Sequence, residues 1–181
     1  MSERVSDPRE ALHVTFVCSG NICRSPMAEV VLRDRLVSAG LGDAVVVDSA
    51  GISNEEHGNP MDGRAIRVLR ERGYDDVARD AHRARPVTAT DLRSRDLVLA
   101  MTSVHAVALR RLAGTAHDRV RLYRSFDREA PQVGPGDAER LLDLDDPWYG
   151  GRAEFEDCLD QIEAAADELV AYVRTALGCD S

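Results

Sequence analysis

The 181-residue chain has 23 basic and 32 acidic side chains, a formal net charge of −9, and every one of the 23 basic side chains is arginine. The absence of lysine excludes a Schiff-base lysine and the lysine of a nucleotide-binding phosphate loop. The acidic balance argues against generic affinity for nucleic acid or anionic membranes, which reward a basic surface. Length and a hydrophobic content of 44% predict one globular domain, which we assign to 11–178 behind a flexible tail, 1–10.

Strands and helices are predicted to alternate along the domain. The predicted strands are 11–17, 45–47 running on into 49–51, 96–101 and 119–123. The predicted helices are 25–39, 61–72, 103–113 and a last helix whose apolar stripe runs from Phe155 to Val173. The segment 127–146 between them is predicted to be loop. Near-continuous apolar strands are typical of a parallel sheet covered by helices on both faces, so we expect a three-layer α/β fold with four parallel strands.

Ligands bind to such sheets at the carboxyl ends of the strands, which directs attention to the loop 18–26 after the first strand. A loop that enters a helix turns its N–H groups toward one point and favours an anion there. Asn21 and Gly20 tolerate unusual backbone angles, and Arg24 can clamp two phosphate oxygens. The residues assigned to this phosphate-binding loop are Ser19, Gly20, Asn21, Ile22, Cys23 and Arg24.

Cys18 is the predicted nucleophile in this loop. A thiol at a helix N-terminus beside arginine ionises readily, so we expect a thiolate that attacks phosphorus. Ser25 is expected to support it with a hydrogen bond. An isolated cysteine would more simply be a small buried side chain. A cysteine followed after five residues by arginine and serine, between a strand and a helix, favours catalysis.

These motifs together resemble the bacterial low-molecular-weight protein tyrosine phosphatase family. The loop 18–26 matches the nucleophile loop of that family, 48–51 matches the segment after its second strand, and 146–150 resembles its acid loop. The resemblance implies that Asp146 protonates the leaving oxygen and then activates water against a phosphocysteine. Asp145 is the second candidate. The resemblance also implies a reaction without metal or cofactor.

The same resemblance assigns the walls of the substrate slot. Trp148 and Tyr149 follow the acid and are expected to line one side of the substrate ring. Glu55, with Glu56 beside it, takes the opposite side, where relatives often have an aromatic residue. Two carboxylates at this wall predict that acidic residues flanking phosphotyrosine are disfavoured, since like charges repel in a cleft.

Supporting residues and a redox role are also implied by the resemblance. Asn21, Ser49 and His82 match a hydrogen-bonded network that keeps the nucleophile loop in shape. A reversible disulfide between Cys18 and Cys23 would protect the nucleophile from over-oxidation. A simple buried thiol at Cys23 is an equal alternative. Of the other two cysteines, Cys158 is expected in the core and Cys179 in the tail.

Three other functions occur on this fold. A protein-arginine phosphatase has threonine in place of Ile22, whose apolar side chain suits an aromatic ring. A thioredoxin-coupled arsenate reductase needs two further cysteines in mid-chain, and none lies between Cys23 and Cys158. A non-catalytic phosphotyrosine-binding module would have lost Cys18 or Asp146.

We therefore predict hydrolysis of protein phosphotyrosine and small aryl phosphates. The substrates are expected to be tyrosine-phosphorylated proteins, with no nucleic-acid or membrane partner. The first ten residues lack the apolar stretch of a signal peptide, so a cytoplasmic location is expected, and export without a signal stays open. A monomer is expected as well.

Overall fold

Four parallel strands form the central sheet in a computed structural model, which describes residues 11–74, 81–134 and 138–179. The strands are β1 (Leu12–Cys18), β2 (Val45–Gly51), β3 (Leu97–Ala100) and β4 (Val120–Leu122). Their order in the sheet is β2-β1-β3-β4, and all pairings are parallel. The predicted four-stranded parallel sheet is confirmed. The predicted flexible tail, 1–10, lies outside the described residues.

The described residues form five α-helices, of which four lie between strands and the fifth follows β4. They are α1 (Arg24–Ser38), α2 (Gly63–Glu71), α3 (Ala89–Ser94), α4 (Ser103–Ala113) and α5 (Arg152–Ala176). Short 3₁₀ turns occur at Gly114–Arg119, Tyr123–Phe126, Glu139–Leu142 and Pro147–Tyr149. Within the three described ranges, no helix is long and apolar enough to cross a membrane.

Helices cover both faces of the sheet, as predicted. Neighbouring residues of a strand point to opposite faces, so each strand contributes side chains to both layers. Phe16 and Leu99 face one layer, where they share a core with α1, α2 and α5. Val17 and Val98, one position along, face the other layer and pack with α3 and α4. All four side chains are fully buried. Near-continuous apolar strands thus supply both cores.

The structure differs from the predicted elements at three places: one helix start, one helix that was not predicted and one turn within a predicted loop. The helix predicted at 61–72 begins at Gly63, because Asp62 caps it: its Oδ1 accepts a hydrogen bond of 2.7 Å from the Arg64 N–H. Helix α3 was not predicted, although Thr88 and Asp91 form a capping box at its start. The segment predicted as loop, 127–146, contains the 3₁₀ turn at Glu139–Leu142.

Candidate active site

The carboxyl ends of β1, β2 and β3 meet at one edge of the sheet, and a cavity of about 150 Å³ lies there. Cys18, the last residue of β1, is in register with Gly51, the last residue of β2. The cavity is lined by the loop residues 18–20 and 22–24, by Ser53, Glu55 and Glu56 after β2, and by Asp146 with Trp148 and Tyr149. The structure therefore brings together the predicted nucleophile, phosphate loop, acid and substrate walls. Ser49 and His82 lie behind this surface.

The backbone of the phosphate loop has one strained residue. Asn21 has a φ of 61°, in the left-handed region that asparagine tolerates better than most residues. Gly20 does not share that conformation. The missing side chain of Gly20 instead leaves room for Glu56, since a Cβ at Gly20 would lie 3.0 Å from Cγ of Glu56. At Gly51, a Cβ would lie 2.7 Å from the Ser19 carbonyl oxygen, so the loop can rest on β2 only at a glycine.

Cys18 is almost fully buried, and its sulfur is held by two polar neighbours. The Asn21 N–H donates to Sγ over 3.3 Å, and the Ser25 hydroxyl lies 3.0 Å from Sγ. Asn21 Nδ2 donates to the Ser25 oxygen over 2.9 Å, and the Ala50 carbonyl oxygen, 3.3 Å away, is a second acceptor for the Ser25 hydroxyl hydrogen beside the sulfur. The two contacts fix the position of Sγ at the cavity.

A buried network supports the loop behind Cys18. Asn21 Nδ2 also donates to Ser49 Oγ over 2.9 Å, and Asn21 Oδ1 accepts a hydrogen bond of 3.1 Å from the Arg85 N–H. His82 Nε2 lies 2.7 Å from the Asn21 carbonyl oxygen. Ser49 in turn donates to the carboxylate of Glu29, a buried residue of α1 that the sequence did not predict. These bonds offset the backbone strain at Asn21.

Arg24 joins the phosphate loop to the acid loop. Its Nη1 donates to the Leu144 carbonyl oxygen over 3.0 Å, and its Nη2 donates to Asp146 Oδ2 over 3.0 Å. Asp146 Oδ1 accepts from the Trp148 N–H over 3.1 Å, which caps the 3₁₀ turn that follows. Both Asp145 and Asp146 are exposed, and of these two carboxylates only Asp146 lines the cavity.

The lining of the cavity mixes aromatic, acidic and apolar side chains. Trp148 is 43% exposed and Tyr149 90% exposed, so both aromatic side chains are open to a substrate. Glu55 and Glu56 form an acidic wall of the same cavity, and Ile22 contributes a buried apolar side chain. The placement of the two glutamates opposite the aromatic residues stays a prediction.

His105 is a second residue that the sequence did not predict. It lies in the first turn of α4, just after β3, and its Nε2 is 2.9 Å from the Ser19 hydroxyl. Burial lowers the pKa of His105 to about 4, and the positive charge of Arg24 contributes to the shift. The ring is therefore neutral at pH 7. Its position after the third strand could have indicated His105 from the sequence, because α4 begins at the same sheet edge as the phosphate loop.

The four cysteines are free thiols in the structure. Burial raises the pKa of Cys23, and the Asp62 carboxylate raises it further, so this thiol is neutral at pH 7. Burial likewise raises the pKa of Cys158, in the core as predicted, to about 12. Cys179 is exposed near the end of the described chain. The Cys18–Cys23 disulfide stays a prediction.

Metal-ligating side chains do not gather in the described part of the chain: no three His, Cys, Asp or Glu residues there are placed to hold an ion. Oxygen, nitrogen and sulfur ligands from several side chains are the usual requirement for a protein metal site. Metal-independent chemistry stays a prediction, and it is testable by chelation.

Comparison with known proteins identifies the family. The family model for low molecular weight phosphotyrosine protein phosphatase matches residues 13–177. The chain belongs to this family. It is 48% identical over 163 residues to the low molecular weight protein-tyrosine-phosphatase of Streptomyces coelicolor, covering 89% of this chain and 93% of that protein.

Solved structures agree with this family membership. The crystal structure of YfkJ from Bacillus subtilis superposes with a TM-score of 0.81 at 30% identity, covering 94% of this chain and 99% of that one. The YwlE arginine phosphatase, solved as a mutant with a phosphorylated active-site serine, has a TM-score of 0.73 at 25% identity, covering 93% of this chain and 100% of that one. The family fold is therefore shared by proteins whose names give different substrates.

Proposed function

We propose that this phosphatase-family chain hydrolyses protein phosphotyrosine and small aryl phosphates through a phosphocysteine on Cys18. One observation carries the proposal: Cys18 Sγ accepts a hydrogen bond from the Asn21 N–H in the loop that leads to Arg24, and Arg24 contacts Asp146 directly. A nucleophile, an anion clamp and an acid thus share one cavity. The catalytic domain is proposed to span 11–178.

In the first step, Cys18 Sγ attacks phosphorus, the S–P bond forms and the P–O bond to the aryl group breaks. Asp146, in its protonated form, gives its proton to the leaving oxygen, since a phenoxide leaves poorly without one. The loop N–H groups and Arg24 hold the phosphoryl oxygens, where negative charge is greatest. Arg24 Nη2 donates a hydrogen bond to Asp146, and an incoming phosphoryl oxygen needs the same donor.

In the second step, water attacks the phosphocysteine and the S–P bond breaks. The Asp146 carboxylate takes a proton from that water, which returns the acid to its starting form. Inorganic phosphate leaves, and the thiolate is again supported by Asn21 and Ser25. No electron transfer is involved, so the cycle requires no redox partner.

Turnover of an aryl phosphate with excess chelator tests this mechanism. Wild type is expected to keep its activity, and Cys18→Ser is expected to lose it. Cys179→Ser is the matched control, because it removes an exposed thiol far along the chain. Unchanged activity in Cys18→Ser would disprove the phosphocysteine. Loss of wild-type activity on chelation would indicate a metal-dependent phosphatase instead.

The choice of substrate rests on Ile22 and Trp148. The buried apolar side chain of Ile22 suits a flat aromatic ring better than a charged guanidinium group, and the exposed indole of Trp148 offers that ring a stacking face. We therefore expect phosphotyrosine peptides to be hydrolysed faster than phosphoarginine peptides. The reverse preference would assign the chain to arginine phosphatases, and Ile22→Thr should then raise that activity further.

We also propose that the protein acts as a cytoplasmic monomer on tyrosine-phosphorylated proteins, with no nucleic-acid or membrane partner. A net charge of −9 supports the exclusion of polyanionic partners. Size-exclusion chromatography with light scattering tests the monomer. A stable dimer at micromolar concentration would contradict it.

A further inference from the structure

Arg64, at the start of α2, connects two segments that are distant in sequence. Its Nε and Nη2 donate to the two carboxylate oxygens of Asp62 over 3.0 and 2.9 Å. Its Nη1 donates to the carbonyl oxygens of Trp148 and Gly150 over 3.1 and 3.0 Å. The guanidinium group thus holds a carboxylate on one side and two carbonyls of the acid loop on the other.

The flat face of the same guanidinium group is also in contact with aromatic rings. Its Cζ lies 5.2 Å from the centroid of the Trp148 ring and 4.7 Å from that of Phe155. Such stacking adds to the hydrogen bonds and restricts the rotation of the arginine. Phe155 is fully buried in α5, so it provides a rigid support.

Asp62 extends this connection to the phosphate loop. Its backbone N–H donates to the Ile22 carbonyl oxygen over 2.8 Å. Burial raises the pKa of its carboxyl group, but the hydrogen bonds from Arg64 outweigh burial and hold that pKa below its ordinary value. Asp62 is therefore ionised at neutral pH, and the pair is a permanent bridge between the phosphate loop and the acid loop.

The acid loop depends on this bridge at its C-terminal half. The residues just before the acid loop are held by two other contacts. Arg24 donates to the Leu144 carbonyl oxygen, and Asp143 Oδ1 accepts from the Ser103 N–H. Beyond Asp146, the side chain of Tyr149 is almost fully exposed and contributes little packing. Arg64 contacts the backbone on both sides of Tyr149.

We infer that Arg64 is a positioning residue that holds 146–150 so that Asp146 faces the leaving oxygen. This inference rests on the proposed function, because it concerns proton transfer by Asp146. A displacement of about 1 Å from the productive geometry is enough to cost about 10²-fold in rate. Arg64 itself is not expected to touch the substrate.

The test compares two substrates that differ in their need for the acid. Phenyl phosphate has a poor leaving group that requires a proton, whereas 2,4-dinitrophenyl phosphate has a phenolate that leaves without one. The measured quantity is kcat/KM, which reports cysteine phosphorylation before hydrolysis of the intermediate. Arg64→Met keeps an apolar stem and removes the donors. It is expected to lower kcat/KM for phenyl phosphate about 10- to 100-fold, and that for the dinitrophenyl ester less than about threefold.

Three further variants sharpen the result. Arg67→Met, an exposed arginine of the same helix, should leave both substrates unchanged. Asp62→Asn, which weakens the pairing with Arg64 without removing it, should show a smaller loss with the same leaving-group dependence. In an Asp146→Ala background, Arg64→Met should cause no further loss on phenyl phosphate, because both changes remove the same proton transfer. Thermal unfolding confirms that each variant is folded.

Equal loss on both substrates, or a full additional loss in the Asp146→Ala background, overturns the positioning role. Failure of the proposed function gives a different pattern: Cys18→Ser stays active, or Asp146→Ala is unimpaired on phenyl phosphate. In the second of these cases the role of Arg64 is overturned as well.

Discussion

Nη2 of Arg24 lies 3.0 Å from Oδ2 of Asp146, so the proposed phosphate clamp and the proposed acid are direct partners across 122 positions of sequence. In the proposed mechanism, this contact links substrate binding to the state of the acid. A phosphoryl oxygen that takes the Nη2 donor competes with the carboxylate, and Asp146 is then free to turn toward the leaving oxygen. The same arginine stays anchored through Nη1 at Leu144.

Replacement of Asp146 tests that partnership. Asp146→Asn keeps an oxygen for the Trp148 N–H but has no proton to give, so kcat/KM for phenyl phosphate is expected to fall about 10²- to 10⁴-fold. Asp145→Asn is the matched control, with less than about a threefold effect expected at this exposed carboxylate. Steady-state kinetics of the two variants are compared directly. A larger loss in Asp145→Asn would show that Asp145, and not Asp146, is the acid.

The contact between Gly51 and the phosphate loop provides a second prediction. Gly51→Ala places a Cβ 2.7 Å from the Ser19 carbonyl oxygen, so the loop must move away from β2. We expect kcat/KM to fall about 10²-fold and the free energy of unfolding to fall by about 1–3 kcal/mol. Gly63→Ala serves as the control, since nothing lies within 4 Å of its Cβ position. Wild-type kinetics in Gly51→Ala would show that the loop does not need this close approach.

His105 predicts a pH dependence of stability. Its pKa is about 4 in the folded protein against an ordinary value of 6.5. The unfolded chain therefore binds the proton first as the pH falls, and stability is lost from pH 6.5 down to pH 4. A shift of this size corresponds to about 3 kcal/mol. Above pH 6.5 the ring is neutral in both states and contributes no pH dependence.

Urea unfolding at pH 7 and at pH 4.5 measures this effect. His105→Gln retains a polar group near Ser19 but has no titrating ring, so the free energy of unfolding should fall less on acidification than in wild type. Equal falls in both proteins would contradict the assignment.

The acidic wall predicts substrate preference. Phosphotyrosine peptides with flanking arginine or lysine should have a higher kcat/KM than those with flanking glutamate, and the difference should shrink as salt is added. Glu55→Gln combined with Glu56→Gln should remove most of the preference. Asp43→Asn, which removes a charge before β2 at the opposite edge of the sheet, should preserve it. An unchanged preference in the double variant would locate the discrimination elsewhere.

The sequence predicted the parts of the site that depend on neighbouring residues. The loop 18–26 combines its strand, turn and helix start within nine positions, so residue types alone indicate an anion site. The chain has many carboxylates that could serve as the acid, and only the resemblance to a family indicated Asp146. Helix α3 carried a readable capping signal in Thr88 and Asp91 that was missed.

The remaining residues could not be predicted because their contacts join distant segments. His105 meets Ser19 across 86 positions, and Arg64 meets Gly150 across 86 positions. Neither pair has a local spacing that marks it. Glu29 has no role that the sequence predicted, and only the fold shows that it accepts from Ser49. Buried polar partners of this kind depend on how the sheet and helices assemble.

Trp148 is the one tryptophan in the chain, and it stands at the rim of the cavity. The intrinsic indole fluorescence of the protein therefore arises entirely at the entrance to the site. Its environment includes the Arg64 guanidinium group 5.2 Å from the ring centroid. Ligand entry and displacement of the acid loop should both change this emission, which makes the wild-type protein a label-free optical sensor of its own site.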